Sequence, residues 1–516
     1  MAQPPAIERH ANLGDCLRRQ AARNPKKPAI VEYAADGGRR EYSYPELDAA
    51  ADRLARSLVG AGVERGDVVA MMSPNRLEYV VTYYGALKAG ACFAGIGPWL
   101  TDRELGFQLE HAEPRVIVCD EDNAQRLRAL PEANGIRIVT YDGSAPGFVG
   151  LPEPDDAPLA KVEEHDSALI VYTSGTESTP KGVVIPHRNF LIATTPSWVF
   201  DGYIVGDDVF LLLAPMYTMA GIGAVTNLIS IGATLVVTQR IKPDTVIDII
   251  ATERVTNTSQ TPTFYAQMAA ADGFASADLS SLRQCHTYGG PIPRNVVAAF
   301  NTRSDHIVWA TYWGQSELTQ LGIVGFYRDL DDVPGNDVGW IGRPMAAVEV
   351  KVVDENGDPA EVGELLCRGP AIMSGYHKDP ELTASTIVDG WLRTGDIVRI
   401  DEDSNLYFFD RKRDVIKTGG MNVSSLEVEN VLRTYSEIAD AAVVGLPDEY
   451  WSEIVTAFVV VTGDGFETER ALEVCRQGLA PYKIPKEIVV IAELPRDKQG
   501  KVIKRLLREH DTRRVG

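Results

Sequence analysis

Between Leu13 and Val118, short apolar runs and helical patterns take turns, and this alternation restricts the fold more than any other property of the chain. Leu13, Leu17 and Ala21 fall on one face of a short helix, and residues 29–31 read as a strand. Pro45 opens a helix that runs through Leu54 and Leu58 and is closed by Gly60 and Gly62. Val68–Met72 is apolar throughout, as a strand covered on both faces must be. Residues 78–88 return to helical spacing, and 91–96 and 116–118 are again strand-like. Strands separated by helices need crossover connections, so the pattern predicts an α/β fold of doubly wound, mostly parallel sheets.

A chain of 516 residues exceeds one ordinary core, so two or more domains are expected. Beyond about residue 340 the texture changes. Residues 348–353 and 363–368 alternate on either side of a turn at 354–358, the pattern of an antiparallel hairpin. A small β-barrel subdomain is therefore expected at about 340–410. The charged stretch at 410–414 follows a finished strand and precedes the glycine pair Gly419–Gly420, which suits a hinge. The boundary is placed there, giving an N-terminal domain at 1–410 and a small mobile α+β C-terminal domain at 411–516.

Hydrophobic content of 45% and charged content of 24% are those of a globular protein. A formal net charge of −21 argues against a nucleic-acid partner, whose phosphates would be repelled. A polyanionic ligand must then be held by local cations and N–H groups. The six cysteines are scattered without metal-ligand spacing, and the N-terminus lacks the basic and apolar regions of a signal peptide. Both point to a cytoplasmic compartment. Residues 209–239 carry no charge and are long enough to span a bilayer. Their glycines, proline and hydroxyls fit a buried strand–loop–helix–strand better, so no membrane span is expected. Nothing in the sequence speaks against a homodimer.

The chemistry starts at residues 172–182, where an apolar run ends in Thr173, Ser174, Gly175, Thr176, Glu177, Ser178, Thr179, Pro180, Lys181 and Gly182. Hydroxyls, backbone N–H groups and one lysine suit a polyphosphate. The spacing is not that of a Walker A loop, because Pro180 stands at the second glycine and Gly182 follows the lysine. The segment resembles the phosphate-binding loop of the adenylate-forming superfamily: acyl-CoA synthetases, carrier-protein adenylation domains and luciferases.

Four further segments carry the resemblance, which runs from about Tyr42 to Leu507. Trp313, Gly314, Ser316 and Glu317 match the family's aromatic-Gly-x-Thr/Ser-Glu pattern. Joining a carboxylate to ATP brings negative charges together, so Mg is needed with a protein oxygen ligand, for which Glu317 is the candidate. Trp313 offers a flat face to adenine. Gly289 and Gly290 resemble the glycine segment against which adenine and acyl group lie. By the same resemblance Asp396 takes the ribose hydroxyls, Arg411 reaches that ribose, and Lys501 is the catalytic lysine. Arg413 stands at the hinge, Gly419 and Gly420 line the coenzyme A tunnel, and Lys417 joins the nucleotide or the pantetheine in one of two conformations. Tyr217, Thr218 and Gly221 border the acyl pocket.

The resemblance implies an acid–thiol ligase that activates a hydrophobic carboxylic acid as acyl-AMP with ATP and Mg, then passes the acyl group to coenzyme A. Residues 363–370, 374–376 and 482–486 look like acyl-CoA synthetases, and no carrier-protein domain follows Gly516. Two departures matter. Glu177–Ser178 replaces the common Thr-Gly, and Thr218 stands where relatives have histidine. They leave open a chain that performs only one half-reaction, by accepting ready-made acyl-AMP or by loading a carrier protein. A non-catalytic acyl-adenylate-binding protein is the reading from another class, against which intact Lys501 and Glu317 argue. A dinucleotide-dependent dehydrogenase lacks support, because Gly221-Ile-Gly223 has no third glycine.

Overall fold

The computed structural model describes residues 12–141, 147–154, 159–173, 180–288, 292–320, 322–337, 339–418, 421–448, 450–463, 465–496 and 502–509. The chain divides into two compact units, Met1–Val350 with Cys367–Leu392, and Lys351–Leu366 with Arg393–Gly516. The two units share the 340–410 stretch between them.

Two sheets form the first unit. In one, Val308–Trp313, Gln284–Tyr288, Asn257–Ser259, Val209–Leu212, Thr234–Thr238 and Pro28–Tyr33 lie side by side and parallel. Antiparallel strands Ile323–Tyr327 and Arg39–Ser43 flank them. In the other, Ser167–Thr173, Cys92–Ile96, Val68–Met72, Val116–Cys119 and Arg137–Tyr141 are parallel. Lys181–Pro186 and Gly375–Tyr376 add antiparallel strands beyond Ser167–Thr173. Parallel strands need cover on both faces, which explains their unbroken apolar runs.

Helix Leu77–Ala89 is buried at every residue. A helix buried on every face belongs inside a core, and its two charged residues are paired there, Glu78 with Arg40 and Lys88 with Asp48. It packs Gly85 on Leu54 of helix Tyr44–Gly60, and its Tyr83 hydroxyl meets Thr226 Oγ1 of helix Met219–Ile231 at 2.8 Å. Helix Tyr44–Gly60 begins with a reciprocal capping box between Ser43 and Glu46. The uncharged run 209–239 resolves into strand Val209–Leu212, helix Met219–Ile231 and strand Thr234–Thr238. Among the described residues no helix is long and apolar enough to cross a membrane. All six cysteines are free and buried.

In the second unit, strand Leu406–Arg411 runs antiparallel to Trp391–Ile400. A further sheet orders Met421–Val423, Ile416–Thr418, Ser452–Val461 and Ile438–Asp448, with Glu487–Val490 parallel to Ser452–Val461. Helices Ser425–Leu432 and Thr468–Gly478 contribute Val428, Leu432, Ala471 and Cys475 to its core. The carboxylate of Asp410 accepts hydrogen bonds from the Ser425 backbone N–H and hydroxyl at 2.7 and 2.6 Å, which ties strand to helix. Burial raises the Asp410 carboxyl above its ordinary range.

Two histidines are locked inside the first unit. His187 Nδ1 accepts from the Leu13 N–H at 3.3 Å, and His286 lies in strand Gln284–Tyr288. Burial pushes His187 down to about 4 and His286 to about 3, from an ordinary 6.5. Both stay neutral in the folded chain, whereas the unfolded chain binds their protons below pH 6.5. Their contribution is complete above that pH and falls toward pH 4, by about 1.4 kcal/mol per pH unit for each histidine. Melting temperature should therefore hold steady above pH 7 and drop between pH 6.5 and 5, with a shallower drop in His187→Gln. A melting temperature that rises on acidification through this window would contradict the assignment.

Candidate functional site

In an open α/β sheet the carboxyl ends of parallel strands form the ligand-binding edge, because the loops leaving them carry no ladder to complete. Thr173 closes strand Ser167–Thr173, Tyr288 closes Gln284–Tyr288 and Trp313 closes Val308–Trp313. Each of the first unit's expected nucleotide segments starts at one of these ends. Ser174, Gly175, Thr176, Gly289 and Gly290 lie outside the described residues, but their flanks do not. Thr173 and Lys181 are cross-strand partners, so the loop between them springs from a closed antiparallel ladder.

The Lys181 ammonium stands 5.5 Å from the centre of the Tyr376 ring, a cation–π arrangement. The Tyr376 hydroxyl donates to Glu317 Oε1 at 2.9 Å. Burial raises the Tyr376 phenol above its ordinary value, and the Glu317 charge adds to this, so the hydroxyl keeps its proton and remains a donor. One tyrosine thus joins the phosphate-loop cation to the expected metal ligand. Sequence reasoning assigned Tyr376 no role, although the 374–376 segment had marked the subgroup. Its signal was a short strand opposite the loop: Gly375 and Tyr376 pair with Val184 and Val183.

The loop after Trp313 is rigidly held. Ser316–Leu318 form one 3₁₀ turn, and the Met373 N–H donates to the Glu317 carbonyl at 2.8 Å. Thr319, fully buried, donates its hydroxyl to the Ala371 carbonyl at 2.6 Å and accepts from Asn189 Nδ2 at 2.9 Å. Trp313 is buried, Gly314 is exposed, and Ser316 and Glu317 are half-buried. Among the described residues no group of three or more His, Cys, Asp or Glu could hold a metal ion. Glu317 alone suits Mg, which accepts one or two carboxylates and takes its other ligands from phosphates and water.

Tyr217 and Thr218 occupy the connection from strand Val209–Leu212 to helix Met219–Ile231. The Tyr217 ring is 6.3 Å from that of Trp99, and a Cβ on Gly95 would come within 2.8 Å of Tyr217 Cα. Thr218 is the helix N-cap: its hydroxyl donates to the Pro215 carbonyl at 2.7 Å and accepts from the Gly221 N–H at 3.3 Å. A side chain on Gly221 would meet the Pro215 oxygen at 2.1 Å, so only glycine fits there. The departure from histidine at 218 thus places a cap where a ring would stand.

In the second unit Asp396 and Arg411 face each other in antiparallel register, with Arg411 Nη1 2.7 Å from Asp396 Oδ1 and Asp396 fully buried. This pair is the acid and guanidinium expected at the ribose. Arg413 is exposed, and its carbonyl accepts from Arg508 Nη2 at 3.3 Å. Burial alone would raise the Asp414 carboxyl, but the Arg508 hydrogen bond and the Lys504 and Arg508 charges hold it below its ordinary range. The Lys417 ammonium lies 3.1 Å from Glu355, both exposed. Gly419, Gly420 and Lys501 are outside the described residues. Arg496 and Val502, which flank the last segment, form an antiparallel bridge.

The AMP-binding enzyme family model matches residues 17–377, and the model of the AMP-binding enzyme C-terminal domain matches 427–501. The chain is similar to a long-chain-fatty-acid–CoA ligase of Bacillus subtilis, 31% identical with 97% of this chain and 94% of the relative covered. A feruloyl-CoA synthase of Amycolatopsis is also 31% identical, over 96% and 98% of the two chains. Among solved structures, an o-succinylbenzoate coenzyme A synthetase of Bacillus subtilis, in complex with ATP and magnesium ion, superposes with a TM-score of 0.83 at 25% identity, covering 95% of this chain and 98% of that one.

If Tyr376 fixes both the cation and the carboxylate, Tyr376→Phe should keep the fold and cost function. The lost bond to a charged acceptor amounts to roughly 1.5–3 kcal/mol, or about a ten-fold to hundred-fold fall in ATP-dependent pyrophosphate exchange. The loss should be partly rescued by raising magnesium. Unchanged exchange at every magnesium concentration would remove Tyr376 from the site.

Proposed function

The chain belongs to the AMP-binding enzyme family, and on that premise we propose that it is an ATP-dependent, AMP-forming carboxylic acid–CoA ligase working in two steps. The observation that carries the reading is the Lys181–Tyr376–Glu317 chain at the carboxyl ends of the parallel strands, where a cation for phosphate and a carboxylate for metal share one support. In the first step a carboxylate oxygen bonds to the α-phosphorus, the bridge to the β-phosphate breaks, and pyrophosphate leaves with the electron pair. Lys181 and the 173–176 hydroxyls and N–H groups hold the phosphates. Gly289, Gly290, Trp313, Gly314 and Ser316 receive adenine, while Asp396 and Arg411 hold the ribose. Glu317 is the residue that would hold Mg, which when bound neutralises phosphate charge. Lys501 places one ammonium between carboxylate and α-phosphate, where negative charge meets negative charge.

In the second step the thiol sulfur of coenzyme A bonds to the acyl carbon and AMP departs, with the thiol proton passing to solvent or phosphate. We take residues 411–516 as the moving part and Arg413 as its hinge. Rotation withdraws Lys501 and presents Gly419 and Gly420 to the pantetheine, with Lys417 serving one of the two conformations. Tyr217, Thr218 and Gly221 border the acyl group. We take it to work in the cytoplasm on small molecules, as a homodimer and without a nucleic-acid partner, a reading that the scattered cysteines and the net charge of −21 support.

Lys501→Ala should abolish pyrophosphate exchange yet largely spare thioester formation from supplied acyl-AMP, a separation that equal loss of both would refute. The half-reaction alternatives are told apart in the wild type. Coenzyme A-dependent AMP release from free acid and ATP supports the complete ligase. Release only from ready-made acyl-AMP, or only with a carrier protein, would replace it.

A further inference from the structure

Two touching histidines beside the phosphate loop have no part in the ligase mechanism. His111 lies in the last turn of helix Asp102–Ala112, and His377 follows Tyr376 of strand Gly375–Tyr376. Their rings meet edge to face with centroids 5.1 Å apart, and Phe107 stacks on His111 at 5.4 Å. The pair grips the stem of the loop on both strands. Tyr172 and Gly182 are cross-strand partners, one rung inside Thr173 and Lys181. On the first strand the Tyr172 hydroxyl lies 2.9 Å from His111 Nδ1. On the second, the His377 N–H donates to the Gly182 carbonyl at 2.7 Å. A Cβ on Gly182 would stand 3.3 Å from His377 Cβ and 3.5 Å from His111 Cε1, so the second strand passes close against both rings. His377 Nε2 donates to the His111 carbonyl at 3.1 Å, which ties the two holders to each other.

These bonds depend on charge. Burial raises the Tyr172 phenol above its ordinary value, so the hydroxyl keeps its hydrogen and needs an acceptor. Neutral His111 supplies one at Nδ1 when its own hydrogen sits on Nε2. The imidazolium, with hydrogens on both nitrogens, cannot. Burial lowers His111, and the His377 and Lys378 charges lower it further, against the pull of the hydrogen bond to His377 and of Asp379. Burial lowers His377 too, helped by Lys378 and opposed by the His111 carbonyl and Glu113. The Lys378 ammonium is 2.9 Å from Glu113 Oε2. Both histidines are therefore neutral at pH 7. Apolar side chains would fill this half-buried space as well, but imidazoles bonded to both strands make the stem register answer to protons.

We propose that His111 and His377 are positioning residues for the phosphate loop: as a neutral pair they hold both strands of its stem in the register that presents Lys181 to ATP, and protonation of the pair releases that register. The ligase reading enters only in taking Lys181 as the phosphate cation. ATP affinity then carries a pH limb set by the protein. It is complete above pH 6.5, where an ordinary imidazole is already neutral, and falls as protons bind below that value.

The test is MgATP binding to the full chain by calorimetry from pH 8 to 5, with no acid present. His111→Asn keeps an acceptor near the Nδ1 position, His377→Gln keeps a donor near the Nε2 position, and neither takes up a proton. The titration of ATP itself is common to both proteins and cancels in the ratio of their dissociation constants. That ratio is read where both keep their near-ultraviolet circular dichroism. At pH 7.5 the double variant should bind within about two-fold of wild type, whereas His111→Ala, which strips the Tyr172 hydroxyl of its acceptor, should bind about ten-fold more weakly. Between pH 7 and 5 the wild type should lose about five-fold or more in affinity relative to the double variant. Equal pH dependence in the two proteins, or His111→Ala binding as tightly as wild type, overturns the inference. MgATP bound with the histidine-dependent limb, but no pyrophosphate exchange with any carboxylic acid, would keep the pair in place and refute the ligase reading instead.

Discussion

Tyr376 touches both the lysine and the glutamate on which the proposed phosphate chemistry rests. Its ring lies beside the Lys181 ammonium and its hydroxyl holds a Glu317 oxygen. A flexible lysine and a lone carboxylate would each sample many rotamers in water, and ordering them separately would cost entropy at the moment of binding. A planar side chain fixed by its own strand removes part of that cost in advance. The strand is short, but its backbone is anchored twice: Ser374 N–H donates to the Val184 carbonyl at 2.9 Å and His377 N–H to the Gly182 carbonyl at 2.7 Å. The ladder that pairs Thr173 with Lys181 therefore also positions Lys181 and Glu317, the cation and the carboxylate of the proposed chemistry.

That arrangement explains which parts of the structure could be read from the chain. The parallel core was legible because buried strands and crossover helices write long apolar runs: Val68–Met72 and Val116–Cys119 fall where the pattern put them, and the uncharged 209–239 run is the expected strand–loop–helix–strand. The Glu317 and Asp396 positions were legible as motifs, since each sits where a strand end or a cross-strand register fixes its direction. Tyr376 was not. It acts through a contact with Glu317, and neither periodicity nor composition records a partner 59 positions distant.

The loop from Gly314 to Gln320 has two faces with different duties. On one side Glu317 accepts from the Tyr376 hydroxyl, and on the other Gln320 lies along helix Met219–Ile231. Thr319 between them is buried and hydrogen-bonded on both sides, so displacement at one end has little slack before it reaches the other. Interior packing of this density transmits small shifts instead of absorbing them. The position of Glu317 and the contact of Gln320 with helix Met219–Ile231 are in this way mechanically joined within the first unit.

The shared support is tested most directly by a double-mutant cycle on Tyr376→Phe and Glu317→Gln, read as kcat/KM for ATP in pyrophosphate exchange. If the tyrosine works by holding the glutamate, the two losses will fall short of additivity by about 1 kcal/mol or more. Losses that add within about 0.3 kcal/mol would show two independent residues and contradict the account.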